Sequence, residues 1–167
     1  MEPIKIVISG PVGAGKSTLI RTLSETEVVD TDAQASEDIG KERTTVVMDF
    51  GTLTLGDHLL YLFGTPGQER FDFVWDVLAE GALGMVLLVR GDQPGDFPHA
   101  RRQLDYLLSR QAVPFVVGVT RQDQPQVWGP DEVALYLRQP FERVVALNAT
   151  DPASAVQPLL RLLELML

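Results

Sequence analysis

The sequence predicts an α/β chain: a doubly wound, mostly parallel six-stranded sheet with one antiparallel edge strand, in a single domain over residues 1–167. Three observations carry this. The apolar run at residues 4–9 passes through Gly10-Pro11-Val12-Gly13-Ala14-Gly15-Lys16-Ser17 into Thr18-Leu19-Ile20-Arg21-Thr22-Leu23, which reads as strand, glycine-rich loop and helix. Further on, continuous apolar runs alternate with amphipathic segments, the pattern of strands buried on both faces beneath covering helices. Between these regions, Gly56-Asp57 separates two strand-like segments and marks a hairpin, which turns one strand antiparallel.

In chain order, the first helix is expected over 16–24. Residues 25–43 are polar, without periodicity, and long for a connection in a compact domain. Residues 45–50 read as a strand, and 52–55 and 58–63 as the arms of the hairpin, ended by Gly64-Thr65-Pro66-Gly67. Phe71, Val74, Trp75 and Leu78 recur at helical spacing and predict a helix over 71–80. A buried strand follows over 82–89. An amphipathic helix covers 97–110, with Ala100, Leu104, Leu107 and Leu108 inward. Residues 113–119 form another buried strand, 131–138 a short helix and 143–147 the last strand. A helix over 153–166 closes the chain, with Pro158 tolerable only in its first turn or at a kink.

The balance of 45% apolar and 22% charged residues is that of a globular domain with a sizeable core. A net charge of −9 argues against general binding to nucleic acid or to anionic lipid, both of which need a basic footprint. The absence of cysteine excludes disulfides, thiolate metal sites, prenylation and palmitoylation, and Glu2 excludes N-myristoylation. A strand starting at Ile4 leaves no room for a leader, and no apolar run approaches a membrane span. The expectation is a cytoplasmic protein with no direct membrane anchor.

The glycine-rich loop fits G-x-x-x-x-G-K-[ST] at every fixed position. Such a loop lets backbone N–H groups curl around an anion, with a helix behind it aiming its positive end at the same anion. Lys16 then reaches the β- and γ-phosphates of a nucleotide, and the Ser17 hydroxyl sits on Mg²⁺. Gly10, Val12, Gly13, Ala14, Gly15 and Thr18 complete the cradle. Ligands in doubly wound sheets bind at the carboxyl ends of the strands. The other ends here are 64–68, 90–92, 120–123 and 148–150.

In order, the chain carries Thr45 before a strand, Phe63-Gly64-Thr65-Pro66-Gly67-Gln68-Glu69-Arg70-Phe71 with Trp75-Asp76 after it, Thr120-Arg121-Gln122-Asp123, and Asn148-Ala149-Thr150. The arrangement resembles the Ras-like small GTPases over nearly the whole chain. It looks most like the bacterial single-domain members that work with roadblock-fold partners. The resemblance implies a P-loop NTPase fold of the G-domain kind, GTP or GDP and Mg²⁺ as ligands, slow GTP hydrolysis, a nucleotide-dependent switch, and a roadblock-type regulator or GTPase-activating partner. It implies that Asp123 accepts two N–H bonds from guanine, which adenine does not offer, that Arg121 stacks on the base, and that the Ala149 N–H meets guanine O6. It further implies that Gln68 orients the attacking water and that the Gly67 N–H meets the γ-phosphate. Thr45, or its neighbour Thr44, binds both Mg²⁺ and the γ-phosphate.

Two positions depart from that pattern. Gly64 stands where D-x-x-G has an aspartate that steadies Mg²⁺ through water, so weaker metal binding is expected unless Asp30, Asp32 or Asp49 substitutes. Val12 stands where glycine is frequent and crowds the γ-phosphate, so slow hydrolysis is expected; Arg43 is a candidate arginine acting in cis. Phe71, Phe73 and Trp75 either pack the helix they sit on or form a partner surface. A non-hydrolysing nucleotide-binding scaffold and a P-loop ATPase or kinase are the alternative functions.

Overall fold

The computed structural model describes residues 2–11, 13–26, 29–34, 45–65, 81–110 and 113–166, with backbone alone at 29–34, 45–48 and 110. The elements are β1 (Ile4–Ser9), α1 (Lys16–Leu23), β2 (Val29–Gln34), β3 (Thr45–Leu55), β4 (His58–Gly64), β5 (Gly84–Arg90), α2 (Phe97–Arg110), β6 (Phe115–Thr120), α3 (Pro130–Leu137), β7 (Val144–Ala146), α4 (Pro152–Ala155) and α5 (Gln157–Met166). The helix expected over 71–80, with Phe71, Phe73 and Trp75, lies outside the described residues.

The strands form one sheet in the order β2-β3-β4-β1-β5-β6-β7. β1 runs parallel to β4 and β5, and β5, β6 and β7 continue parallel. β3 is antiparallel to both its neighbours, so β2 points the same way as β1. The doubly wound, mostly parallel sheet is as expected. Among the described residues the sheet has seven strands, not six: Val29–Gln34, inside the stretch without periodicity, adds one at the edge. The antiparallel strand therefore lies one place in from the edge. β3 also runs unbroken through Gly51, where two shorter segments were expected.

Alternation along the central strands divides the core into two layers. In β5, Val86 and Leu88 face a cluster with Ile6, Ile8, Leu19, Ile20, Leu159 and Leu162, beneath α1 and α5. Met85, Leu87 and Val89 face Phe97, Ala100, Leu104, Val133 and Leu137, beneath α2 and α3. Each such fully buried aliphatic side chain contributes about 1.5–3 kcal/mol. This two-sided burial is why β5 reads as a continuous apolar run.

The closing helix is two helices. α4 is capped by the Asp151 carboxylate, which accepts from the Ala153 N–H at 3.2 Å. The chain breaks at Val156, and Pro158 falls in the first turn of α5, where a missing N–H costs little. Close approach of α1 to β3 depends on Gly51, because a Cβ there would lie 2.8 Å from Ser24 Cβ and 2.9 Å from Ile20 Cγ2. Among the described residues no helix is long and apolar enough to cross a membrane.

Candidate functional site

The glycine-rich loop leaves β1 at the centre of the sheet and turns directly into α1. Gly10 has φ +148°, and a Cβ there would collide with the Leu88 carbonyl oxygen. Gly15, with φ +104°, is the cap residue from which α1 starts. The Ala14 N–H donates to the Pro11 carbonyl at 3.1 Å, which closes the turn. Gly13, Ala14, Gly15, Lys16, Ser17 and Thr18, with Arg121 opposite, line the open concavity above it.

Lys16 Nζ donates to the carbonyls of Gly10 at 2.6 Å and Pro11 at 3.1 Å. Burial pushes its pKa down to about 8, and the nearby Asp49 charge opposes that shift in part. The lysine is thus held by the loop it serves, at the mouth of the helix, where an incoming anion restores its preference for charge.

The Ser17 hydroxyl donates to the Asp49 carboxylate. Asp49 is on β3, and alternation places it with Gly51 and Leu53 on the α1 face of the sheet. Gly64 lies beside it on β4: a Cβ built there would be 3.5 Å from Asp49 Cβ and 3.1 Å from Ile20 Cδ1. Of the three aspartates left open above, Asp49 is therefore brought to the loop; the side chains of Asp30 and Asp32 lie outside the description. The next residue, Phe50, packs from the opposite face against Tyr61 and Phe63, with ring centroids 5.4 and 4.9 Å away. That packing pins the register that aims Asp49 at Ser17. One hydroxyl and one carboxylate beside a phosphate cradle are a fitting donor set for Mg²⁺, a hard cation that prefers oxygen and leans on substrate phosphate. Among the described residues no group of three or more His, Cys, Asp or Glu forms a cage of its own.

On the other side of the loop, Ala14, Gly15, Thr18, Thr120, Arg121, Asn148, Ala149 and Thr150 line one cleft. Three distant segments meet there: a Cβ built on Gly15 would lie 3.8 Å from Ala149 Cβ and 3.9 Å from Thr120 Cγ2. The buried Thr120 hydroxyl lies 3.3 Å from the Ala14 carbonyl and 3.2 Å from the Val89 carbonyl, within donating reach of both, and so ties β6 to the loop. Asn148 Oδ1 accepts from the Thr150 hydroxyl at 2.7 Å and its N–H at 3.1 Å, which fixes the third segment. Arg121 leaves β6 in the left-handed region, φ +66°, and lines both the cleft and the phosphate concavity.

Asp123 is not brought into this group. It is exposed in the turn beyond Arg121 and is not among the residues lining the cleft. The buried Thr65 opens the segment after β4, its hydroxyl bonded to Ser9 Oγ at 3.2 Å. Val12, Arg43, Thr44, Gly67, Gln68 and the Thr45 side chain lie outside the described residues; the Thr45 backbone begins β3. The signal that could have singled out Asp49 is its setting: a carboxylate between Met48 and Phe50, in a strand that is otherwise apolar there.

The loop, the two clefts beside it and the sheet that carries them define a P-loop nucleotide-binding protein. Over residues 26–166 the chain matches, and belongs to, the family described as conserved hypothetical ATP binding protein. The match begins after the glycine-rich loop, so loop and family are separate observations. The chain is 27% identical over 126 residues to an uncharacterized protein of Methanocaldococcus jannaschii, covering 73% of this chain and 72% of that one. It is 28% identical over 146 residues to the tRNA modification GTPase MnmE of Sinorhizobium medicae, covering 81% of this chain but 30% of that protein. It is also 29% identical over 124 residues to translation initiation factor IF-2 of Malacoplasma penetrans, covering 74% of this chain and 18% of that protein.

Proposed function

We propose that the protein is a guanine-nucleotide switch: it binds GTP and GDP with Mg²⁺ and hydrolyses GTP slowly, with stimulation by a partner. The observation that carries this reading is the meeting of Gly15, Thr120 and Ala149 at one cleft, because it joins the phosphate loop to both segments that the resemblance assigns to the base. Likeness to a protein described as a GTPase supports it. In this reading Asp123 swings from its exposed turn to the purine edge and selects guanine. Lys16 and the loop N–H groups neutralise phosphate charge. Ser17 and Asp49 steady the metal, Asp49 taking the part that Gly64 cannot. Thr45 and Gly67 hold the γ-phosphate, and Gln68 orients water. A roadblock-type regulator rests on the resemblance alone.

The family description favours a second reading, an adenine-nucleotide protein built on the same loop. Extraction and identification of the nucleotide that co-purifies, followed by competition of ATP against labelled GDP, separates the two. Guanine nucleotide in the extract and displacement by GTP but not ATP are expected; displacement by ATP at equal concentration overturns the guanine reading. Turnover with and without a cognate partner then tests the switch: no loss of GTP in either case leaves a non-hydrolysing scaffold.

A further inference from the structure

Arg90 takes no part in the reading above. It is the last residue of β5, in register with Thr120 of β6, at the strand ends where the loop and the cleft meet. Asp92 holds one edge of its guanidinium at two points: Nε donates to Oδ1 at 2.9 Å and Nη2 to Oδ2 at 2.8 Å. A two-point clamp fixes the plane of the group and leaves the opposite edge to face elsewhere. That edge faces the loop. A Cβ built on Gly13 would lie 4.0 Å from Arg90 Nη1. Gly13 is exposed and lines the phosphate concavity.

The electrostatics of the site leave a part for such a group. A nucleoside di- or triphosphate brings several negative charges to a protein whose own net charge is −9. The loop lysine is half-buried and shares its surroundings with the Asp49 carboxylate. Arg121, which also lines the concavity, is a second cation, and its charge acts on Asp92 as well. Arg90, Asp92 and Arg121 thus place opposite charges near one another at the carboxyl ends of β5 and β6.

We propose that Arg90 is a nucleotide-binding residue: clamped by Asp92, it donates through Nη1 to the phosphate chain where that chain passes Gly13. Asp92 is the positioning residue for it. The inference rests on nucleotide binding, not on the choice of base.

The test measures dissociation constants of nucleotide-free protein for inorganic pyrophosphate, nucleoside and nucleoside diphosphate, in both the guanosine and adenosine series. It compares the wild type with Arg90→Ala, Arg90→Lys and Asp92→Asn, alongside melting temperatures. Arg90→Ala is expected to weaken diphosphate and pyrophosphate binding about ten- to hundred-fold, with nucleoside affinity unchanged and a shallower dependence on ionic strength. Arg90→Lys recovers part of the loss, and Asp92→Asn shows an intermediate one because the clamp is loosened. Equal loss for nucleoside and diphosphate makes Arg90 a prop for the loop and overturns the proposal, as does unchanged pyrophosphate affinity in Arg90→Ala. Should Arg90→Ala not fold, the same comparison in Arg90→Lys and Asp92→Asn decides. Binding of the adenosine series alone refutes the guanine reading and leaves the Arg90 result standing.

Discussion

The hydroxyl of Ser17 donates to the carboxylate of Asp49, joining the first turn of α1 to the middle of β3 across 32 residues of sequence. Gly51 lets α1 lie close on β3, and Gly64 leaves the space beside Asp49 and Ile20 without a side chain.

Asp49→Asn is expected to raise the Mg²⁺ concentration needed to retain bound nucleotide by about ten- to hundred-fold, the range for residues that orient a metal's partners. Combined with Ser17→Ala, its effect is expected to be far from additive, since in the proposed reading both groups act on one ion. Nucleotide release timed across a Mg²⁺ titration reads this. An unchanged half-point in Asp49→Asn removes the residue from the metal site.

Restoring aspartate at position 64 is expected to harm rather than help. The new side chain meets Ile20 Cδ1 at 3.1 Å and Asp49 at 3.5 Å from its first carbon. Overpacking costs about 1–3 kcal/mol, and two adjacent carboxylates resist joint ionisation. Gly64→Asp is therefore expected to melt several degrees lower with no gain in Mg²⁺ affinity; a tighter Mg²⁺ half-point contradicts this.

Lys16 sets a pH limit. Its pKa in the free protein is lowered to about 8, chiefly by burial. Below that pH it is charged both free and bound, and affinity for a nucleoside diphosphate is flat with respect to this group. Above it the free lysine is neutral while the bound one carries a proton, so binding takes up a proton and affinity falls by up to about ten-fold per pH unit. Calorimetry in buffers of different ionisation enthalpy is expected to show proton uptake at pH 9 and little at pH 7. The same shift means that the unfolded chain holds more protons than the folded one between about pH 8 and 10.5. The nucleotide-free protein is thus expected to gain stability from this group as pH rises through that window.

Asp123→Asn is expected to cost guanine nucleotides about ten- to hundred-fold in affinity, from about 1–3 kcal/mol for each purine N–H left unpaired, and to leave adenine nucleotides unchanged. Equal affinity of both variants for GDP places base selection elsewhere in the cleft.

Gln103 is 1% exposed on α2, and among the described residues neither its amide oxygen nor its nitrogen has a partner. A buried polar group without a partner costs about 1–3 kcal/mol. Gln103→Met keeps the shape without the amide and is expected to raise the melting temperature by a few degrees; a fall indicates an amide interaction worth keeping.

The parts of this protein visible in its residues are those with a local physical cause. The glycine-rich loop is legible because closely spaced glycines followed by lysine and serine suit little else. β5, α2 and β6 are legible because burial on both faces or on one face imprints a period on consecutive residues. β2 left no such mark: Val29–Gln34 is a polar edge strand whose existence depends on pairing with β3, not on an apolar face. Phe71, Val74, Trp75 and Leu78 show helical spacing, but spacing does not say whether an aromatic packs inward or meets a partner.

By itself the sequence determined the class of fold, the phosphate loop and the order of the segments that surround it, since each follows from residue type over short distances. Only the tertiary structure decided which aspartate faces Ser17, that Thr120 ties β6 to the loop, that Asp123 is exposed in its turn, and that Arg90 Nη1 lies near Gly13. The reason is geometric. A shift of one residue in the register of β3 would send Asp49 to the opposite face of the sheet, and register is set by packing between strands far apart in the chain.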